Sequence, residues 1–167
     1  MREGLVRLSE DVHALSYRLH PSILEDLGLI EALKAECERY TGTCPVRLEA
    51  NAREIPEKMP RGVALCLFRI AQEGLRNTAR HAKASRAEVR LRGLNGGLQL
   101  AVEDDGAGFN QAQDRTRISL GHASMRQRVF LLGGQLEIAS SPGQGTTIRA
   151  WVPLQEERSE PPARAAG

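Results

Sequence analysis

Leu98-Gln99-Leu100-Ala101-Val102-Glu103-Asp104-Asp105-Gly106-Ala107-Gly108-Phe109 runs from an apolar strand straight into three carboxylates and a Gly-x-Gly turn. Immediately ahead of it, Asn95-Gly96-Gly97 is a hairpin signal, because residues tolerant of positive φ close a turn whose twist matches its strands. Residues 87–91 are therefore the partner strand. A second hairpin pairs residues 136–139 with 146–152 around Ser141-Pro142-Gly143-Gln144-Gly145, and Pro153 ends it. Val46–Ala50 alternates like a further strand.

Helical patterns fill the spaces between. From Arg61, apolar Val63, Leu65, Leu67, Phe68, Ile70, Ala71 and Leu75 predict a helix to about His81, framed upstream by Pro56 and Pro60. Another helix is expected from about His122 to Leu132, stopped by Gly133-Gly134. Ser22 and Glu25 have capping-box spacing, and Ile23, Leu24, Leu27, Ile30, Leu33 and Cys37 give that helix an apolar face to about Tyr40, closed by Gly42. Before Pro21, Leu5, Leu8, Val12, Leu15 and Leu19 follow alternating spacings of three and four, which fits either a helical-bundle seam or a helix lying on its own domain. Residues 110–120 are polar and aperiodic, a loop. The tail, residues 155–167, is rich in Glu, Arg, Pro and Ala and is expected to be disordered. This order predicts an α+β, two-layer sandwich with a mixed, mostly antiparallel sheet. No series of strand–helix–strand units is expected, which argues against a Rossmann-like sheet.

Composition narrows the function. The 167 residues carry a net charge of +2, too small to argue for nucleic acid or a membrane surface. Cys37, Cys44 and Cys66 form no C-x-x-C pair, which argues against zinc, and their odd number fits a reducing cytosol. No apolar run approaches a membrane span, and Met1–Asp11 lacks the apolar segment of a signal peptide. A cytoplasmic location follows as an expectation, with any membrane anchor outside this chain.

Four constellations can carry chemistry. Asp104, at a strand end beside Gly106 and Gly108, can accept a hydrogen bond from an exocyclic amine such as that of adenine, although a tight turn with surface aspartates would read the same way alone. Glu73 and Asn77, four apart, share a helical face. Asn77 offers a carbonyl oxygen suited to Mg²⁺, and Glu73 can orient a water or the phosphate-bound metal. Arg76, Arg80, His81 and Lys83 add positive charge that can meet phosphates, or simply a solvated face. Ser119-Leu120-Gly121-His122 opens a helix whose free N–H groups can face an anion. Gly143-x-Gly145-Thr146 is a hairpin turn that can close one side of a nucleotide pocket. P-loop, protein-kinase and hydrolase-elbow motifs are absent from the sequence.

Taken together, FRIAQEGLRNTARHA, VEDDGAGF, SLGHASMRQRVFLLGG and SSPGQGTTIRAWVP resemble, in order and spacing, the ATP-binding domain of bacterial sensor histidine kinases of the GHKL superfamily. LSYRLHPSILEDLGLIEAL resembles the second dimerisation helix and junction of the subfamily that signals to NarL-type (NarL/LuxR) response regulators. The resemblance implies ATP and Mg²⁺ under a lid at residues 110–120. It assigns Asn77 to the metal with Glu73 in the adjoining acidic position, and Asp104 to the adenine amine. Gly106 and Gly108 would shape the pocket, Gly121 the lid's hinge and phosphate side, and Gly143, Gly145 and Thr146 the last glycine box. It further implies residues 1–41 as a dimerisation-helix remnant and junction, residues 42–154 as the catalytic domain, a possible homodimer, an upstream sensor and dimerisation region, and a response regulator as partners. Ser119 and Ser124 stand where the family usually has glycine. The family's E-L-H-D phosphoacceptor motif is missing, and His13 and His20 lack its context. The expected activity is a histidine protein kinase that phosphorylates a histidine outside this chain. The alternative is a regulatory or non-catalytic kinase-like ATP-binding module; an anti-sigma-type serine kinase fits less well because of the LHPSILEDLGL junction.

Overall fold

The computed structural model of the protein describes residues 22–110 and 120–154. The heptad stretch, His13, His20, Ser119, most of the expected lid and the tail lie outside the described residues. Within them are three helices, α1 (Ser22–Tyr40), α2 (Arg61–Asn77) and α3 (Leu120–Leu131), and five strands, β1 (Val46–Ala50), β2 (Ala87–Leu94), β3 (Gly97–Asp104), β4 (Gln135–Ser140) and β5 (Thr146–Pro153). A wide π-helical turn, Thr78–Ala82, continues α2.

The strands form one sheet in the order β1-β2-β3-β5-β4. All neighbours are antiparallel except β1 and β2. The two-layer α+β sandwich expected from sequence is therefore present. The chain does contain strand–helix–strand crossovers that the sequence reading leaves out: β1–α2–β2 joins parallel neighbours, and β3–α3–β4 carries the chain past β5's place to the far edge. A parallel pair requires such a crossover.

Side-chain alternation gives the sheet two chemically distinct faces. Val89, Leu91, Leu98, Leu100, Val102, Ile148, Ala150 and Val152 bury against the helices, where Leu67, Phe68, Ile70 and Leu75 of α2 fill the centre. On the other face, Arg90 and Arg149 pair with Glu103, Arg149 also with Glu137, and Arg92 with Glu49. These cross-strand ion pairs mark a solvated surface. At the β2–β3 turn Asn95 and Gly96 have φ of 50° and 73°, as a two-residue primed hairpin turn needs. At the end of α3, the Gly134 and Gly133 amides donate to Val129 and Phe130, which closes the helix with a Schellman motif.

The α1 reading needs correction. Gly28 (φ 82°, ψ 177°) breaks the helix and resets its phase. Leu24 is buried before the break, and Leu29, Ala32, Leu33, Glu36 and Cys37 after it. Leu27, placed on the apolar face by unbroken periodicity, is 62% exposed. After the kink, α1 shares the core with α2 and β1: Ala32 and Leu33 are fully buried. Glu36, 1% exposed, accepts from Arg39 Nη1 at 3.0 Å and from Gln72 Nε2 of α2 at 3.3 Å, so the buried carboxylate ties the two helices together. Glu25 pairs with Arg61 at the start of α2. No helix among the described residues is long and apolar enough to cross a membrane.

Candidate functional site

The helix-facing rows of the sheet turn polar at one end. Leu98, Leu100 and Val102 of β3 share a face, and the next residue in phase is Asp104. Asp104 pairs in register with Thr146 of β5, and Thr146 with Ser140 of β4. The Asp104 carboxylate is held at both oxygens. The Gly106 amide donates to Oδ1 at 2.9 Å, and the Thr78 hydroxyl lies 3.1 Å from Oδ2. Asp105 is engaged elsewhere. It accepts from the amides of Ser85 (2.8 Å) and Arg86 (3.0 Å) and from the Ser85 hydroxyl (2.5 Å), and lies beside the Arg86 guanidinium. The Ser85 hydroxyl leads the interactions that hold its carboxyl below the usual carboxylate range.

The glycine motifs lock together by close backbone approach. A Cβ at Gly106 would overlap the Ala82 carbonyl, which accepts the Ala107 amide at 2.6 Å. The π-helical turn thus delivers a carbonyl to the loop after β3. The Gly143 amide donates to the Ala107 carbonyl at 2.7 Å, joining this loop to the β4–β5 turn. A Cβ at Gly108 would overlap the Ser141 carbonyl, and one at Gly145 the Asp104 carbonyl. Ser140 completes the junction: its hydroxyl oxygen accepts the Phe109 amide at 2.9 Å and lies 3.0 Å from both the Gly145 carbonyl and the Thr146 hydroxyl.

Glu73 and Asn77 lie on the last turns of α2, directly before Thr78. Glu73 is ion-paired with Arg76, and Gly121 at the start of α3 packs directly on its carboxylate, where a Cβ would not fit. His122 stacks on Phe109 with ring centroids 5.9 Å apart. Burial depresses the His122 imidazole's pKa, opposed by the nearby Glu73 charge and aided by Arg126. The Asn77 side chain makes no capping hydrogen bond to the turn that follows it. No cluster of three or more His, Cys, Asp or Glu able to hold a metal exists among the described residues. The side-chain oxygens of Asn77 and Glu73 are nonetheless of the kind Mg²⁺ takes, because that ion keeps several waters and uses only one or two protein oxygens beside phosphates.

The fold therefore gathers Asp104, Gly106, Gly108, Gly143, Gly145 and Thr146 into one cluster and sets Gly121 on Glu73, while Asn77 joins them through the chain, as the residue before Thr78. Arg80, His81 and Lys83 are exposed on the turn after α2, and no hydrogen bond or ion pair joins them to the Asp104 cluster. Arg80 lies instead close enough to the Tyr40 hydroxyl of α1 to influence its ionisation. Sequence reasoning missed Thr78 and Ser140. A signal existed for each: Thr78 directly follows Asn77, and Ser140 closes the hairpin opposite Thr146.

Residues 62–156 match the family described as histidine kinase-, DNA gyrase B-, and HSP90-like ATPase. The chain is 34% identical over 147 residues to the signal transduction histidine-protein kinase/phosphatase DegS of Brevibacillus brevis, covering 88% of this chain and 38% of that protein. It is 37% identical over 151 residues to the sensor histidine kinase LiaS of Bacillus subtilis (strain 168), covering 90% of this chain and 41% of that protein. The chain thus spans about two fifths of the length of these relatives. Among solved structures, the histidine kinase domain of the Erythrobacter litoralis EL346 blue-light activated histidine kinase superposes with a TM-score of 0.60 at 28% identity, covering 73% of this chain and 57% of that one.

Proposed function

The chain belongs to the histidine kinase-, DNA gyrase B-, and HSP90-like ATPase family, and from that premise we propose that it is the ATP-binding catalytic portion of a sensor histidine kinase. It transfers the γ-phosphoryl group of ATP to a histidine on a dimerisation domain outside this chain, for onward transfer to a response regulator. The observation that carries this reading is the Asp104 carboxylate, fixed at the end of β3 between the end of α2 and two interlocked glycine turns.

Each residue has a definite part in it. Asp104 accepts the adenine amine. Gly106, Gly108, Gly143 and Gly145 let backbone close around the base, with Thr146 beside Asp104. Gly121 brings the α3 terminus, with its free N–H groups, beside Glu73 and toward the phosphates. Asn77 supplies an oxygen to Mg²⁺, which neutralises phosphate charge when bound, and Glu73 occupies the adjoining acidic position. Arg80, His81 and Lys83 act as a diffuse positive field for the triphosphate and not through direct contact with the Asp104 cluster. Residues 1–41 supply the junction, with α1 from Leu29 packed as part of the catalytic unit. The LSYRLHPSILEDLGLIEAL stretch supports a partner of the NarL/LuxR type and a cytoplasmic, dimeric parent protein.

Two measurements test the proposal. Calorimetry should detect ATP binding to the full chain in Mg²⁺. With γ-labelled ATP, the chain alone should remain unlabelled, while a separately supplied dimerisation domain carrying its histidine should become labelled. Label on His13 or His20 would overturn the assignment of the acceptor. ATP binding with no transfer to the supplied domain would make the chain a regulatory binding module.

A further inference from the structure

Thr78 is the first residue past α2 and is 5% exposed. Its hydroxyl oxygen lies 3.1 Å from Asp104 Oδ2 and 3.1 Å from the Gly74 carbonyl oxygen. A hydroxyl carries one proton, so it serves one of these acceptors fully at a time. The Gly74 carbonyl already accepts the Thr78 backbone N–H as part of the helix end. The carboxylate is the stronger acceptor, and among the described residues Thr78 is the donor on that oxygen. With Gly106 N–H on Oδ1 and Thr78 O–H on Oδ2, the plane of the carboxylate is fixed at two points.

We propose that Thr78 is a positioning residue for the Asp104 carboxylate, and that this fixation sets the preference for purines bearing an amine rather than a carbonyl at the six position. The inference rests on Asp104 being the base-reading group. An amine donates to the remaining lone pair of a pinned carboxylate. A six-carbonyl, as in inosine, presents a lone pair to a negative charge that cannot turn aside. Discrimination of this kind is large only when the site's polar group has a single orientation, because the mismatched edge is then left unpaired.

The test uses the full chain and two nucleotides, ATP and inosine triphosphate, titrated by calorimetry. Thr78→Val removes the hydroxyl while nearly keeping the shape. It should weaken ATP binding about tenfold, the order expected for one hydrogen bond to a charged group. The ratio of ATP to inosine triphosphate affinity should fall with it, and Thr78→Ser should restore both. A Thr78 with only a structural role would weaken both nucleotides equally or leave both unchanged, and either result overturns the proposal. If Thr78→Val does not fold, Thr78→Ala is read by the same criteria. Asp104→Asn separates the two layers of the argument. Wild-type ATP affinity in Asp104→Asn removes the base-reading role and the Thr78 inference with it. Lost affinity in Asp104→Asn, beside unchanged selectivity in Thr78→Val, removes the Thr78 inference alone.

Discussion

Gly145 sits against the carbonyl of Asp104 so closely that no side chain fits between them, and with φ of 76° it also holds a backbone conformation costly to other residues. The last glycine turn is thereby pressed onto the residue at the centre of the candidate site. Gly143, two residues earlier, has a similar φ of 74° but open space around its missing Cβ. Gly143→Ala should cost only the left-handed backbone strain, about 1–2 kcal/mol. Gly145→Ala adds a backbone collision and should cost more than about 3 kcal/mol, with loss of ATP binding in whatever fraction folds. Urea unfolding of both variants checks the order; equal destabilisation would contradict it.

The adjacent carboxylates should separate by function. Asp104→Asn should weaken ATP binding by at least about tenfold while leaving thermal stability nearly unchanged. Asp105→Asn should leave ATP affinity near wild type and lower stability, because the carboxylate organises the Ser85–Arg86 backbone. Its pH dependence follows from its lowered pKa. A carboxyl with a depressed folded-state value contributes stability above its unfolded value, near 3.9, and loses it as pH falls through the folded value. The melting-temperature gap between wild type and Asp105→Asn should therefore be full at neutral pH and shrink below about pH 4. A gap unchanged at pH 3 would remove the electrostatic explanation.

Leu33→Ala probes whether α1 belongs with the sheet. Leu33 is fully buried in the shared core. Its truncation should destabilise the cooperative unfolding of the whole domain by about 2–5 kcal/mol. A separate junction helix would instead melt on its own and leave the main transition in place. Circular dichroism and tryptophan fluorescence from Trp151 distinguish the two outcomes.

Burial pushes the Cys66 thiol to about 11 and the Cys37 thiol to about 12, in each case chiefly by desolvation. At pH 8 both should resist a thiol reagent in the native protein and react on unfolding. Raised thiol values also set a sign. Their contribution to stability is complete below the unfolded value near 8.5 and is lost as pH rises toward the folded values. Melting temperature should fall between pH 8 and 10.5, with a shallower slope in Cys66→Ala. Rapid native-state labelling of Cys37 or Cys66 at pH 8 would contradict their burial.

Local chemistry in the sequence determined a large part of this protein. Asn95-Gly96 specified its turn because positive φ is a property of those residues, and Gly133-Gly134 likewise specified the end of α3. The Asp-Gly-Ala-Gly turn and the Glu73–Asn77 spacing pointed to the candidate site for the same reason: each is legible within a few residues. Tertiary structure decided what depends on partners distant in the chain. Gly28 shifted the α1 phase, so Leu27 faces out and Leu29 faces in; periodicity cannot reveal a kink that Gly permits but does not compel. The parallel pairing of β1 with β2 depends on the α2 crossover between them, which no local sequence pattern specifies. Thr78 and Ser140 gained their roles only when packing set them against Asp104 and the Phe109 amide, 26 and 31 residues away in sequence. Arg80 shares a basic run with His81 and Lys83, yet its charge is felt at Tyr40 of α1, and no hydrogen bond ties any of the three to the Asp104 carboxylate.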